Sequence, residues 1–210
     1  MVNVAVAKGR LEKEIFEYLK RAGYRIQNNK HSRKLFVEDE NEIIRCFMVK
    51  PMDVPIYVAN NIADAGICGT DSIVESRVDV LQPLKLPFGK SKMVLAGFKN
   101  RELEEQPIVV ATKFPITAKR YFESRGVVAR VIKLNGSVEL APLVGLADVI
   151  VDIVETGRTL KENGLVILDE IYKISAMLVL NDVAYRTKRT EISEFLERLK
   201  QSMKRWEVTL

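Results

Sequence analysis

The segment DVIVDIVETGRTL, residues 148–160, determines how the rest of the chain is interpreted. Its first half is an apolar run at residues 149–154 that only Asp152 interrupts. A short run rich in β-branched residues predicts a buried strand. The residues LKEN at positions 160–163, followed by Gly164, predict a short helix. The segment therefore predicts a strand, a tight turn and a helix, which is the repeating unit of α/β proteins.

The turn between this strand and this helix concentrates groups that bind anions. Residues 155–159, ETGRT, contain two hydroxyls, a glycine, an arginine and several backbone N–H groups. Gly157 allows the backbone to come close to a phosphate. Thr156 and Thr159 can donate hydroxyl hydrogen bonds, and Arg158 adds positive charge. The alternative is an ordinary strand–helix turn in which a threonine caps the helix.

The remaining chain alternates between strand patterns and helix patterns. Strands are predicted at residues 2–7, 34–37, 43–49, 65–69, 84–88, 91–98, 108–111, 127–134, 165–172 and 175–180. Helices are predicted at residues 11–22, 53–60, 116–124, 137–144 and 191–206, and after residue 69. Asp53, Ser137 and the pair Thr70–Asp71 are predicted to cap three of these helices. The alternation favours an α/β architecture with largely parallel sheets.

The pattern of predicted elements changes near residues 84–89 and again near residues 174–180, and these two changes predict two lobes. An outer lobe would comprise residues 1–86 and 180–210, and a middle lobe of residues 87–179 would carry the 155–159 turn. A charged linker is predicted within the middle lobe at residues 99–106. A ligand site between two such lobes is a common arrangement.

Composition and charge restrict the possible function classes. The chain is 47% hydrophobic and 29% charged, and it lacks the run of about 18 apolar residues that would span a membrane. Its net charge of +5 is spread over strand ends and turns, which argues against nucleic acid and favours small polyanions. The N-terminus lacks the features of a secretory signal, and Cys46 and Cys68 lie in apolar contexts typical of reduced thiols. These features predict a cytoplasmic protein.

Four stretches together resemble the ATP phosphoribosyltransferase family in its short form. They are VAVAKGRL at residues 4–11, KPMDVPIYVANNIADAGICGTD at 50–71, NGSVELAP at 135–142 and GLADVIVDIVETGRTLKENGL at 145–165. The last stretch is the most specific, and the four occur in the order found in the family. The resemblance extends over essentially the whole chain, and its strength comes from the combination of the four stretches.

The resemblance implies a fold, a reaction and partners. The fold would be two α/β lobes of the type-II periplasmic-binding-protein kind, with mixed sheets and an active-site cleft between the lobes. The reaction would join ATP to 5-phosphoribosyl 1-pyrophosphate (PRPP), with adenine N1 attacking ribose C1 and pyrophosphate leaving. This is the first step of histidine biosynthesis, and it requires Mg²⁺ with PRPP. Short forms act with a separate regulatory subunit similar to histidyl-tRNA synthetase, and a homodimer of this chain is expected.

The resemblance also assigns roles to particular residues, and each has a structural alternative. PRPP-binding residues would be Asp152, on the ribose hydroxyls, and Glu155, Thr156, Gly157, Arg158 and Thr159, on the 5-phosphate. Catalytic cations would be Lys8, Arg10 and Lys50, and ATP-binding residues would be Gly9, Asp71 and Glu139, the last two for nucleotide or metal-linked contacts. The structural alternative for residues 8–10 is a solvated turn. The alternative for Asp71, Glu139 and Asp152 is that each carboxylate caps neighbouring backbone N–H groups. The metal ligands are unassigned.

Lys50 occupies a position at which the family often carries arginine. A lysine can neutralise pyrophosphate but cannot form the bidentate fork of a guanidinium. A second interpretation, from a different class, is a non-catalytic cytoplasmic module that binds a small anion with the same fold. Such a module would not require PRPP and ATP together.

Overall fold

We describe the fold from a computed structural model, in which residues 1–26, 35–99 and 107–207 are described. The chain divides into two compact units. The outer unit consists of Met1–Gly89 and Ser175–Leu210, and the inner unit consists of Lys90–Ile174. The linker predicted at residues 99–106 lies, apart from its first residue, outside the described residues.

The strands and helices follow each other in the alternating order that the sequence predicts. In chain order the strands are β1 Val2–Ala7, β2 Phe36–Glu38, β3 Ile44–Val49, β4 Ala65–Gly69, β5 Leu81–Lys85, β6 Ser91–Gly97, β7 Ile108–Thr112, β8 Ala129–Lys133, β9 Val149–Val154, β10 Val166–Ile174 and β11 Ala176–Leu180. The helices are α1 Glu12–Arg21, α2 Val54–Ala59, α3 Thr70–Ser76, α4 Pro115–Glu123, α5 Leu140–Leu143, α6 Arg158–Glu162, α7 Asp182–Thr187 and α8 Arg189–Glu207. A 3₁₀ turn at Pro51–Asp53 precedes α2.

The outer unit contains a six-stranded sheet in the order β2-β3-β1-β4-β11-β5. β1 pairs in parallel with β3 and β4, whereas β11 runs antiparallel to β4 and β5. The amphipathic helix α1 buries Ile15, Tyr18 and Leu19. The Tyr18 hydroxyl donates a hydrogen bond to the carbonyl oxygen of Leu199 at 2.6 Å. The C-terminal helix α8 therefore packs against the N-terminal part of the core.

The inner unit contains a five-stranded sheet in the order β10-β6-β9-β7-β8. The central strand β9 is antiparallel to β6 and parallel to β7, which is itself parallel to β8. Val149, Ile150 and Val151 are fully buried, which accounts for the apolar run that identified this strand. The carboxyl ends of β7, β8 and β9 lie at one edge of the sheet because these strands are parallel. The 155–159 turn leaves the sheet at that edge.

The prediction of largely parallel sheets is wrong, because both sheets are mixed, as the family resemblance implied. In the outer sheet, β11 returns antiparallel between β4 and β5. The boundary drawn at residues 179/180 assigned most of β11 to the middle lobe, but its pairing places the strand in the outer sheet. Strand direction depends on these long-range pairings, which local periodicity does not report.

Helix capping also differs from the prediction. Asp53 lies before α2 without a side-chain hydrogen bond to the helix, and α3 begins at Thr70 without a side-chain cap. Ser137 adopts a left-handed φ of 46°, and α5 begins only after Glu139. Helix α7 was not predicted, although Asn181 caps it by accepting the N–H of Ala184 at 2.9 Å. An Asn N-cap is a local signal that could have revealed α7.

Two expectations from composition can be compared with the structure. Cys46 and Cys68 are both buried and form no disulfide, as expected for reduced core thiols. Within the described residues, no helix is both long enough and apolar enough to cross a bilayer.

Candidate functional site

In the outer unit, the parallel strands β1, β3 and β4 bring several candidate residues to one sheet edge. The backbone N–H of Lys8 donates to the carbonyl oxygen of Val49 at 2.9 Å, so Lys8 and Lys50 follow adjacent strand ends. The β1–β4 register pairs Val6 with Ile67, which brings the start of α3 to the same edge. Edges formed by the carboxyl ends of parallel strands are the usual ligand sites of α/β sheets.

The turn after β1 keeps its cationic side chains in solvent. Gly9 has a φ of +95°, a backbone conformation that favours glycine. Its N–H donates to the Glu12 carboxylate at 3.1 Å, and its carbonyl oxygen accepts the Glu12 N–H at the same distance. These two bonds fix the turn at the start of α1. Lys8 and Arg10 are exposed on either side of Gly9 and are accessible to an anionic ligand.

Asp71, which the sequence predicts to contact nucleotide, is a buried carboxylate in the outer unit. It is 5% exposed in the first turn of α3, and its Oδ1 has no hydrogen-bond partner among the described residues. Its Oδ2 accepts a hydrogen bond from the Ser72 hydroxyl at 3.3 Å. Burial raises the pKa of Asp71, while the nearby Arg10 charge lowers it. The Asp71 carboxylate and the Arg10 guanidinium therefore interact electrostatically.

Gly69 is required by the position of Asp71. A Cβ atom at residue 69 would overlap Oδ1 of Asp71, so no larger residue fits at the end of β4 without moving the carboxylate. The expectation that Thr70 caps α3 is not met, since its hydroxyl instead accepts the N–H of Ser175 at 3.4 Å.

In the inner unit, the turn after β9 has the open backbone that the sequence predicted. Gly157 is the N-cap of α6 and has a φ of +74°. The Arg158 N–H donates to the Thr156 hydroxyl oxygen at a long 3.4 Å. Among the described residues, the N–H groups of Thr156, Gly157 and Thr159 have no backbone or side-chain acceptor. Unpaired N–H groups at a helix start are available to bind an anion.

This turn forms one wall of a cavity of about 290 Å³. The cavity is lined by Glu139, Asp152, Ile153, Val154, Glu155, Thr156, Gly157, Arg158, Thr159 and Leu160. Every residue expected to bind PRPP therefore contributes to a single cavity. Glu139, which was expected to contact ATP, lines this same cavity together with the residues expected to bind PRPP.

Asp152 carries the strongest electrostatic perturbation in the cavity. Burial raises the pKa of Asp152 to about 6, and the Glu139 charge adds to this effect. The Ile153 N–H, which donates to the Asp152 carboxylate at 2.8 Å, and the Lys113 charge both lower the pKa. Among the residues that the structure describes, this N–H from its own strand donates to the carboxylate, and no N–H of the following turn donates to it. A perturbed carboxylate in a polar cavity is typical of functional sites.

Lys113 was not among the candidate site residues, although the structure places it beside Asp152. Thr112 at the end of β7 pairs with Val151 of β9, and its hydroxyl donates to the Val151 carbonyl oxygen at 2.6 Å. In this parallel register, Lys113 follows Thr112 and Asp152 follows Val151. Lys113 and Asp152 are therefore neighbours. The sequence showed a lysine after a strand, but only the pairing of β7 with β9 shows its neighbour.

Comparisons with known proteins agree on one family. The family model described as ATP phosphoribosyltransferase matches residues 50–201. The chain is 49% identical to the ATP phosphoribosyltransferase of Thermotoga neapolitana, over 97% of this chain and 96% of that protein. It is 47% identical to the ATP phosphoribosyltransferase of Clostridioides difficile, over 93% of this chain and 95% of that protein.

A solved structure extends the comparison to the fold. The chain is similar to the ATP phosphoribosyl transferase (HisG:HisZ) complex from Thermotoga maritima, with a TM-score of 0.88 and 47% identity. The alignment covers 98% of this chain and 100% of that chain. The two mixed α/β sheets are thus those of a solved relative, and the predicted type-II periplasmic-binding-protein-like fold is confirmed.

Proposed function

The chain belongs to the ATP phosphoribosyltransferase family, and we propose that it catalyses the reaction for which that family is named. Adenine N1 of ATP attacks ribose C1 of PRPP and displaces pyrophosphate, which is the first step of histidine biosynthesis. The observation that carries this proposal is the polar inner-unit cavity formed by Glu139, Asp152 and the 155–159 turn. The reaction has a loose transition state, so the protein contributes mainly by positioning and by neutralising charge.

The 155–159 turn is proposed to bind the 5-phosphate of PRPP. The N–H groups of Thr156, Gly157 and Thr159 lack other acceptors among the described residues, and Arg158 is exposed beside them. Gly157 leaves space for the phosphate because its neighbours approach no closer than 3.8 Å to an added Cβ. Several N–H donors and one guanidinium together match the oxygens of a phosphate group.

Asp152 is proposed to bind the ribose hydroxyls. It stands before the phosphate turn on the same strand and faces the same cavity, as a ribose attached to the bound phosphate requires. Its carboxylate already accepts the Ile153 N–H and retains capacity for hydroxyl donors. Glu139 reaches the same cavity, so we propose that it acts on PRPP, in place of the ATP contact expected from the sequence.

The outer-unit cations are proposed to act on the phosphates of ATP and on the leaving pyrophosphate. Lys8, Arg10 and Lys50 are exposed at neighbouring strand ends. Asp71, buried in the first turn of α3, interacts electrostatically with Arg10. Lys50 acts as a point charge, since it lacks the bidentate geometry of the arginine that is frequent at this position in the family.

Mg²⁺ is proposed to enter with PRPP. In proteins Mg²⁺ is usually held by one or two carboxylates together with substrate phosphates. The carboxylates that line the inner-unit cavity are oxygen ligands of this kind. They would share the ion with substrate phosphates, since no group of three or more His, Cys, Asp and Glu side chains among the described residues could hold a metal ion by itself. When bound, Mg²⁺ would neutralise part of the charge that develops on pyrophosphate.

We propose a cytoplasmic hetero-oligomer as the working form of the protein. The Thermotoga maritima relative was solved as a HisG:HisZ complex, and we extend such an assembly to this chain. The partner would be a regulatory subunit similar to histidyl-tRNA synthetase, and the chain itself would form a homodimer. Light scattering should show the dimer mass, and the chain alone should be poorly active. Full, histidine-inhibited turnover by the chain alone would contradict the two-subunit proposal.

The decisive experiment measures formation of phosphoribosyl-ATP from ATP, PRPP and Mg²⁺, with and without the regulatory subunit. Product is expected only when both substrates are present, and more product is expected with the subunit. Binding of PRPP without any product under all of these conditions would favour a non-catalytic anion-binding module.

A further inference from the structure

The inner-unit cavity is lined by more acidic than basic side chains, although its proposed ligand is a polyanion. Glu139, Asp152 and Glu155 bring three carboxylates to the lining, and Arg158 brings its single guanidinium. The Glu139 charge already disfavours ionisation of Asp152, since it raises the pKa of that carboxyl. A ligand with several negative charges would be repelled by such a lining. Positive charge close to Asp152, in addition to the Mg²⁺ proposed to enter with PRPP, would therefore favour binding.

Lys113 is placed to supply this charge from the inner unit itself. It follows Thr112, whose hydroxyl is fixed at 2.6 Å from the Val151 carbonyl oxygen. The parallel register then sets Lys113 beside Asp152, one strand away. The two groups interact, because the Lys113 charge lowers the pKa of Asp152. Phe114 donates its N–H to the Thr112 hydroxyl at 2.8 Å, so the backbone around Lys113 is held on both sides.

The Lys113 side chain is also available to a ligand. It is exposed, and it forms no hydrogen bond and no ion pair within 4.0 Å to any of the described residues. Lys119, on the nearby helix α4, is also exposed but is paired with Glu123 at 3.8 Å. A flexible ammonium on an anchored backbone is well suited to bind phosphate as a point charge.

We propose that Lys113 is a further substrate-binding residue, and that its ammonium contacts the pyrophosphate of PRPP. This inference rests on the proposed function of the cavity. By the β7–β9 register Lys113 neighbours Asp152, which is assigned to the ribose, whereas the 155–159 turn is assigned to the 5-phosphate. We therefore assign Lys113 to the pyrophosphate at ribose C1 and leave the 5-phosphate to the 155–159 turn.

The test compares three probes with the full chain saturated with its regulatory subunit. Isothermal titration measures the affinities for PRPP, inorganic pyrophosphate and ribose 5-phosphate, each with Mg²⁺. Lys113→Ala should weaken PRPP and pyrophosphate binding by about tenfold, since a charged hydrogen bond is lost, and leave ribose 5-phosphate binding unchanged. Lys113→Arg should retain most of the affinity. Lys119→Ala is the matched lysine control and should bind all three probes normally.

The outcomes separate this inference from the proposed function. Arg158→Ala should weaken ribose 5-phosphate binding and so reports on the 5-phosphate site. If Arg158→Ala has this effect while Lys113→Ala binds PRPP and pyrophosphate normally, the role of Lys113 is refuted and the proposed function stands. If Lys113→Ala lowers the affinity for ribose 5-phosphate as much as the affinity for PRPP, the assignment to pyrophosphate is also overturned. Failure of the unmodified chain to bind PRPP would refute the proposed function itself.

Discussion

Replacing Asp152 with asparagine is expected to stabilise the ligand-free inner unit near neutral pH while weakening PRPP binding. The pKa of Asp152 is raised to about 6, chiefly because the carboxylate loses hydration on burial. The ionised side chain therefore costs folding free energy, and asparagine removes this cost with nearly the same shape. The same change removes the charge proposed to hold the ribose hydroxyls, so stability and function should move in opposite directions.

The size of the stabilisation expected from Asp152→Asn follows from the pKa shift of Asp152. The pKa rises from 3.8 in the unfolded chain to about 6 in the folded protein, a difference of about two units. At about 1.4 kcal/mol per unit, full ionisation costs about 3 kcal/mol. Because the folded pKa is raised, this contribution to stability is fully present below pH 3.8 and is lost as the pH rises through about 6. The advantage of Asp152→Asn should therefore be absent near pH 3.8 and reach its full value above pH 6.

The assay must report on the inner unit by itself. A chain with two units need not unfold in one step, so hydrogen exchange of the β9 amides is preferable to a global melting curve. Exchange is measured in chelator at several pH values for the unmodified chain, for Asp152→Asn and for Glu123→Gln. Glu123 is exposed in α4 of the same unit, so Glu123→Gln is the control for removal of a surface carboxylate. If the free energies of opening for the Asp152→Asn and unmodified chains stay parallel from pH 4 to pH 8, burial does not control this carboxyl and the reasoning is refuted.

Three further predictions test the two units separately. Arg158→Ala and Thr159→Ala should weaken PRPP binding, by about ten- to a hundredfold for Arg158, because a charged hydrogen bond to phosphate is lost. Unchanged affinity in both variants, measured by calorimetry, would contradict the 5-phosphate assignment. Arg10→Ala should lower kcat while PRPP binding survives in part, because contacts that strengthen in the transition state act on turnover. Steady-state kinetics with the regulatory subunit would refute this prediction if only the KM for PRPP changed. Gly69→Ala should destabilise the outer unit by about 1–3 kcal/mol, because the added Cβ displaces the Asp71 carboxylate; urea denaturation that matches the unmodified chain would show that β4 relaxes without strain.

The sequence alone determined the features that depend on neighbouring residues. The apolar run at residues 149–154 predicted β9, and the ETGRT residues predicted an open turn because their hydroxyls, glycine and N–H groups are consecutive. The family resemblance likewise depended on continuous stretches, and it identified the correct family. Candidate site residues could be named within each stretch because each stretch folds as one local unit. The missed helix α7 had a local signal as well, the Asn181 cap.

The tertiary structure decided everything that depends on pairing between distant strands. The antiparallel return of β11 made the outer sheet mixed, and the packing at the start of α3 buried the Asp71 carboxylate against Gly69. The register of β7 with β9 placed Lys113 beside Asp152, although 39 positions separate Thr112 from Val151 in the sequence. Local propensity and motif chemistry act over a few residues. Burial and register arise only when the sheets assemble, and it is burial that raises the Asp152 pKa.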